Sequence, residues 1–399
     1  MTVFPRSASL IVFACLCVLA PLTRTASGQE VVRVSEFVRA GGDSPDWADP
    51  INRALRSADP GDTVVLDWRD TPYVIRSAVR IGRDGVTLDG RGATIRFADN
   101  AMGGEIVDCV EVLGSLGDPV EGVTVKNLTI DANYWNQPGS HNPRGFDSDH
   151  ARDLLVESVT IVNAFVGLTF GLGVEGAEAR GCTVRRYFDD AFNASGDGVS
   201  GGASDVLFEG CLAEDARNEA NGGPPGVRNN AWEIEDGAQD ITVRGCAVRN
   251  VDGNGFAVRN HDGDVSTARI AFLSCSAENV SGLGWHAFSG GFPNRVESIR
   301  LVGCSSDSVV RLHKDIRGLR IERCVFDAAV TLGPARDAEI TASTFGWLRI
   351  WTEPPPGDSL GGSSYQPAYR FENCVLRREP WILGDPRHVT FDGGSLVGD

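Results

Sequence analysis

One run of residues repeats along this chain, and the repeat limits what the chain can fold into. Asp189-Asp190-Ala191-Phe192-Asn193-Ala194-Ser195-Gly196 returns in altered form as Asn229-Asn230-Ala231-Trp232-Glu233-Ile234-Glu235, as Gly253-Asn254-Gly255-Phe256-Ala257-Val258-Arg259 and as Gly282-Leu283-Gly284-Trp285-His286-Ala287-Phe288. Most copies open on turn-forming residues and then alternate large apolar side chains with polar or small ones. A period of two within each copy indicates a strand, and recurrence over tens of residues indicates strands stacked on one another.

The cysteines carry the same repeat. Cys15 and Cys17 stand near the start and Cys109 stands apart, but Cys182, Cys211, Cys246, Cys275, Cys304, Cys324 and Cys374 share one context, and successive gaps from Cys182 to Cys324 are 29, 35, 29, 29 and 20 residues. A cysteine at the same place in each repeat reads as a stacked, buried small residue and not as half of a crosslink. Lys126-Asn127-Leu128-Thr129-Ile130, Glu157-Ser158-Val159-Thr160-Ile161 and Ala342-Ser343-Thr344-Phe345 fit equivalent places. Short β-rich runs broken by Gly and Asp, with no long helices between them, predict an all-β chain: a single-stranded right-handed parallel β-helix with coils ~4.8 Å apart. Ile51, Ala54 and Leu55 recur at helical spacing behind Asp49 and Pro50, which predicts a short helix over Trp47 to Ala58 capping the N-terminal end. Asp215 to Arg228 and Glu353 to Gln366 read as loops inserted in the coil.

At the N-terminus, Arg6 precedes an apolar run from Leu10 to Leu19, and Ala26, Ser27 and Gly28 offer a cleavage site. Residues 1–28 therefore read as a secretory signal, and residues 29–399 as one β-helix domain that is secreted or periplasmic. The apolar run is too short for a membrane span. The net charge of −17 becomes −19 when the signal, with Arg6 and Arg24 and no acid, is subtracted. Such a surface disfavours nucleic acid and anionic lipid. The expected partner is a polysaccharide or oligosaccharide bound by a monomer.

Aligning the repeats predicts which side chains face outward. Phe192 and Ala194, Trp232 and Ile234, Phe256 and Val258, and Trp285 and Ala287 point inward. One outward column then reads Asp147, Thr169, Asn193, Glu233, Ala257, His286, Arg311, and the next reads Asp149, Gly171, Ser195, Glu235, Arg259, Phe288, His313. Acids occupy the early coils and bases the later ones, a surface able to orient a polar, extended chain. The plainer reading is that such positions are solvated, and that Asp or Asn before Gly is a turn residue. His261, Asp262, Gly263 and Asp264 read first as a turn.

The chain resembles the pectin-lyase-like β-helix superfamily, and Asp189-Asp190-Ala191-Phe192 resembles the Asp-Asp-Cys-Ile element of polygalacturonases. In that family an aspartate on the preceding coil, a Gly-His-Gly on the next and an Arg-x-Lys one coil later complete the site; Val166, Asn230, Ala257 and Arg259 stand at those places here. Gly145-Phe146-Asp147-Ser148-Asp149-His150 is similar to the Gly-Phe-Asp-Pro-His element of mannuronan epimerases and alginate lyases, with Ser148 and Asp149 in place of the single Pro. This second resemblance implies a base, His150 or His286, and a cation neutralising a uronate, Arg259 or Arg311. Calcium on Asp147, Asp149 or Asp189 is chemically reasonable, although the sequence contains no sequential metal loop and predicts no cofactor.

These readings converge on a carbohydrate-active β-helix. The leading expectation is a glycosidase using Asp189 and Asp190 with Glu233 or Glu235, and Asp147, Asp149, Asn193, Asn230, Arg259, His286, Arg311 and His313 binding substrate. A lyase or epimerase and a non-catalytic carbohydrate-binding or structural β-helix are the rivals. Strand spacing and rise place Asp190 and Glu233 roughly 11 Å apart, beyond the ~6.5–9.5 Å of an inverting pair; a bent turn before the strand would shorten it.

Overall fold

A residue in left-handed conformation precedes each rung of the cysteine ladder, and the coil follows from it. In the computed structural model, which describes residues 29–38, 46–101, 107–137, 142–197, 201–216, 229–261, 265–289, 295–313, 316–353 and 367–397, φ lies between +49° and +62° at Asn127, Ser158, Gly181, Gly210, Gly245, Ser274, Gly303, Arg323, Ala342 and Asn373. That conformation turns the chain sharply between two strands, and glycine adopts it without steric cost. The next residue drops into the interior: Leu128, Val159, seven cysteines from Cys182 to Cys374, and Ser343 in the same row. All eight described cysteines are free and buried. The seven ladder thiols donate to carbonyls of the coil before, as from Cys211 Sγ to Ala179 O at 3.3 Å and Cys275 Sγ to Val243 O at 3.2 Å.

Each coil contributes one strand to each of three parallel sheets. One sheet contains Ser204–Glu209, Gln239–Arg244, Thr267–Leu273 and Val296–Val302, and a second contains Thr183–Arg185, Leu212–Glu214, Ala247–Val251 and Ser276–Val280. The third holds the repeated run: Arg144–Asp149, Leu168–Phe170, Asp190–Ala194, Asn229–Ile234, Gly253–Asn260, Leu283–Ser289 and Val309–Leu312. Inside it Phe192, Trp232, Phe256 and Trp285 form one stack, with ring centroids 4.5, 5.0 and 4.8 Å apart. Those distances match the coil spacing, and each stacked pair adds about 0.5–1.5 kcal/mol beyond the area it buries. The stack fixes the register, so it also fixes which residues stand side by side on the outer face.

Helix Ala48–Ser57 buries Ile51, Ala54 and Leu55 against the first coils. Its cap differs from expectation: Asp46 Oδ1 accepts from Ala48 N at 3.1 Å, while Asp49, already inside the first turn, pairs with Arg53 at 3.1 Å. Among the described residues no helix is long and apolar enough to cross a membrane. The signal segment 1–28, Asp262 to Asp264, and most of both inserted loops lie outside the described residues.

Candidate acidic site on the outer face of one sheet

The pairing register confirms the first outward column: Asp147, Thr169, Asn193, Glu233, Ala257, His286 and Arg311 are successive neighbours. A second row runs Asp190, Asn230, Asn254. Strict alternation would put Asp190 and Asn193 on opposite sides. They share a side because two consecutive residues between them both point inward. Ala191 and Phe192 are both in the core, as are Ala231 and Trp232. The first inward place admits only small residues: a Cβ on Gly167 would lie 2.3 Å from the Ala191 carbonyl oxygen.

This bend corrects the expected 11 Å separation. The Asn230 amide nitrogen donates to Asp190 Oδ1 at 3.1 Å and to Glu233 Oε2 at 3.2 Å, so these oxygens are at most 6.3 Å apart, the sum of the two bonds. Asn254 Nδ2 in turn donates to Asn230 Oδ1 at 3.0 Å and so orients the Asn230 amide. Asn193 Nδ2 donates to Glu235 Oε1 at 3.2 Å.

Solvation does not explain the face. Asp190 and Glu233 are 4% and 3% exposed. The strands Asp190–Ala194 and Asn229–Ile234 are buried along their whole length, whereas Ser204–Glu209 on a neighbouring sheet alternates buried and accessible positions. Burial penalises charge and pushes the carboxyls up. Asp189 rises to about 7, from burial and the neighbouring Asp190 charge, and Glu235 rises to about 7 for the same two reasons. Burial pushes Asp190 up to about 6, less far than the other two, because the bond from Asn230, the Arg259 charge and the bond from Asn193 pull the other way. Tyr187 is fully buried beside it and is pushed up by burial and then by the Asp190 charge.

Arg259 supplies the cation. Its guanidinium contacts Glu233 Oε1 directly and lies 4.0 Å from Glu235 Oε2. His261 Nδ1 sits 3.2 Å from Glu235 Oε2 and 3.1 Å from Asp236 Oδ2. Among the described residues, Glu233, Glu235 and His261 are the group whose ligand atoms come together as a metal site would need. The Arg259 guanidinium, in contact with Glu233, places a positive charge beside this group. Asp147, Asp149 and Asp189, the residues expected for calcium, form no such group.

The other predicted residues lie elsewhere on the face. Two coils N-terminal, Asp147 is 2.9 Å from Arg144, which also binds Asp108 at 2.6 Å, and burial pushes Asp147 up to about 8. Asp149 Oδ1 accepts from Leu172 N at 2.8 Å and closes a turn, and His150 packs over Gly173. Later on the sheet His286 stacks with Phe288 at 4.9 Å and with His313 at 5.6 Å, with Arg311 beside His286. The structure thus gathers Asp189, Asp190, Asn193, Asn230, Glu233, Glu235 and Arg259, and leaves Asp147, Asp149, His286, Arg311 and His313 on flanking coils. Sequence reasoning missed Asn254, although the recurring order polar, small, aromatic in Asp-Ala-Phe, Asn-Ala-Trp and Asn-Gly-Phe carried the signal. His261 and Asp236 gave none beyond turn chemistry.

No family model matches the chain, and no curated protein matches it by sequence. Solved structures match in fold. The N-terminal fragment of bacteriophage Phi29 gene product 12 aligns with a TM-score of 0.65 at 15% identity, over 90% of this chain and 65% of that one. The A-module of the Azotobacter vinelandii mannuronan C-5 epimerase AlgE4 aligns with a TM-score of 0.56 at 15% identity, over 90% of this chain and 100% of that one. The Yersinia enterocolitica family 28 exopolygalacturonase aligns with a TM-score of 0.55 at 9% identity, over 92% and 77%. Together with the three parallel sheets, these likenesses establish the fold: the chain is a right-handed parallel β-helix of the pectin-lyase-like type.

Proposed function

We propose that this protein is a secreted glycoside hydrolase acting on a polysaccharide. The observation that supports the reading is the set of three carboxyls, Asp189, Asp190 and Glu235, held near 6 to 7 on adjacent coils. Glycoside hydrolysis needs one carboxyl that keeps its proton and one that has lost it. Asp190 has the lowest value of the three and bonds that favour its charge, so it is the base that takes a proton from water. Asp189, with the proton retained near neutral pH, gives it to the glycosidic oxygen as the C–O bond breaks. Water's oxygen becomes bonded to the anomeric carbon, and the Asp189 proton leaves with the departing sugar. Glu235, its carboxyl also pushed up to about 7, accepts a hydrogen bond from Asn193, while the Glu233 and Arg259 pair holds the floor in place.

Carboxyls held away from their ordinary values at a cost in stability favour an enzyme over a binding protein. The lyase or epimerase reading is less supported, because Arg259, its nearest neutralising cation, is already bound by Glu233. No step draws on calcium. The expected pH–rate profile is a narrow bell with limbs near 6 and 7, macroscopic values belonging to the coupled set. The test is release of reducing ends from acidic and neutral polysaccharides, which Asp190→Asn is expected to abolish; unchanged turnover in that variant removes the mechanism.

A further inference from the structure

Beside the carboxyls lies a group of rings that the mechanism does not use. Tyr134, Trp135, Phe165 and Phe188 are each only partly buried. Tyr134 contacts Trp135 at 4.6 Å, Phe188 at 5.2 Å and Phe165 at 5.8 Å between centroids, and Phe165 stacks on Phe188 at 5.4 Å. They come from the turns of three successive coils that lead into the site sheet. The backbone ties these turns together: Tyr134 N donates to Asn163 O at 2.8 Å, Phe188 N to Ala164 O at 3.0 Å, and Asp189 N to Phe165 O at 2.9 Å. The last ring, Phe188, is therefore covalently next to Asp189. Burial raises the Tyr134 hydroxyl, and the Asp189 charge raises it further, which puts that ring within electrostatic reach of the carboxyl.

Four aromatic rings left in partial contact with water form a patch of the kind that marks a binding surface. Its occupant follows from its position. The patch runs along the helix axis for two coil steps, about 10 Å, and ends at the carboxyl pair. The matching ligand presents an apolar face to flat rings and hydroxyls to the carboxylates, which describes a pyranose unit of an extended carbohydrate chain. We propose that Tyr134, Trp135, Phe165 and Phe188 form a stacking subsite for a sugar unit adjoining the bond held at Asp189 and Asp190. This inference rests on the carbohydrate-directed reading above.

The test uses the full chain carrying Asp190→Asn, so that bound polymer is not cleaved. Affinity electrophoresis through gels containing polygalacturonate, alginate or a β-glucan identifies the polymer that retards it. Adding Phe188→Ala or Trp135→Ala is expected to weaken retardation about tenfold, the equivalent of ~1.4 kcal/mol, whereas Trp135→Phe, which keeps a ring, retains most of it. Quenching of tryptophan fluorescence by the same polymer in the chain with Trp135 intact, lost in Trp135→Phe, gives a readout that needs no destabilising change. Equal retardation of the ring variants and their parent overturns the subsite while leaving the hydrolytic reading untouched. Ring-dependent binding by a chain whose unmutated form cleaves nothing upholds the subsite and removes the hydrolase. If no polymer retards the parent, the subsite is overturned as well.

Discussion

Asp190→Asn is expected to stabilise the protein as it inactivates it. The native site holds an ionised carboxylate that is 4% exposed. Moving that carboxyl from 3.8 to about 6 costs the ionised form about 3 kcal/mol. An amide of the same shape carries no charge, and still has the Asn230 side chain as a hydrogen-bond partner. The substitution also removes the charge that helps to raise Asp189 and Glu235. For a chain of this length unfolding as one unit, ~3 kcal/mol corresponds to a rise in Tm of about 4 °C. Differential scanning calorimetry at pH 8 and pH 4.5 isolates the electrostatic part. At pH 8 the variant is expected to melt above the parent by the full margin, and at pH 4.5, where Asp190 is protonated in the folded parent but still largely ionised in the unfolded chain, the margin is expected to shrink to about a third. A variant less stable than the parent at pH 8, or equally stabilised at both pH values, refutes the claim that the burial of this charge is costly.

Three further outcomes follow from the same structure. Arg259→Gln leaves Glu233 buried without its cation, and chemical unfolding is expected to show a loss of about 3–5 kcal/mol. The whole molecule is expected to gain stability on mild acidification: the folded carboxyls of Asp147, Asp189, Glu235 and Asp190 sit at about 8, 7, 7 and 6 against 3.8 or 4.5 ordinarily, so the fold keeps protons that the unfolded chain loses. Their favourable contribution is full below the ordinary values and is lost as pH rises through 6 to 8, so Tm at pH 5 is predicted to exceed Tm at pH 8. Ala342 has φ of +49°, and Ala342→Gly is expected to stabilise by about 1 kcal/mol in a urea titration by relieving a left-handed conformation that costs an L-residue ~1–2 kcal/mol.

The fold was legible because a β-helix writes its period into the chain. Successive members of the row Phe192, Trp232, Phe256 and Trp285 stand one coil apart, as do those of the cysteine row with Ser343 between Cys324 and Cys374, and each rung needs a similar residue for the same packing reason. The outward column from Asp147 to Arg311 followed from that alignment. The site was less legible, for two physical reasons. Two inward residues in succession, Ala191 with Phe192 and Ala231 with Trp232, break the alternation on which distance estimates rest, so Asp190 and Glu233 lie much closer than rise and spacing indicate. Charge pairing between coils was also invisible: Arg259 reads as one base among several, and only the structure shows that Glu233 engages it. Burial was the larger surprise, since an outward strand position is ordinarily wet and Asp190, Asn230 and Glu233 are not.

The central claim, that Asp189 and Asp190 hydrolyse a glycosidic bond, is tested most directly by running the reaction in oxygen-18-labelled water and weighing the products. Hydrolysis yields saturated fragments whose new reducing ends each carry one labelled oxygen. Unsaturated fragments without the label, or a polymer left uncleaved across acidic and neutral polysaccharides, would contradict it.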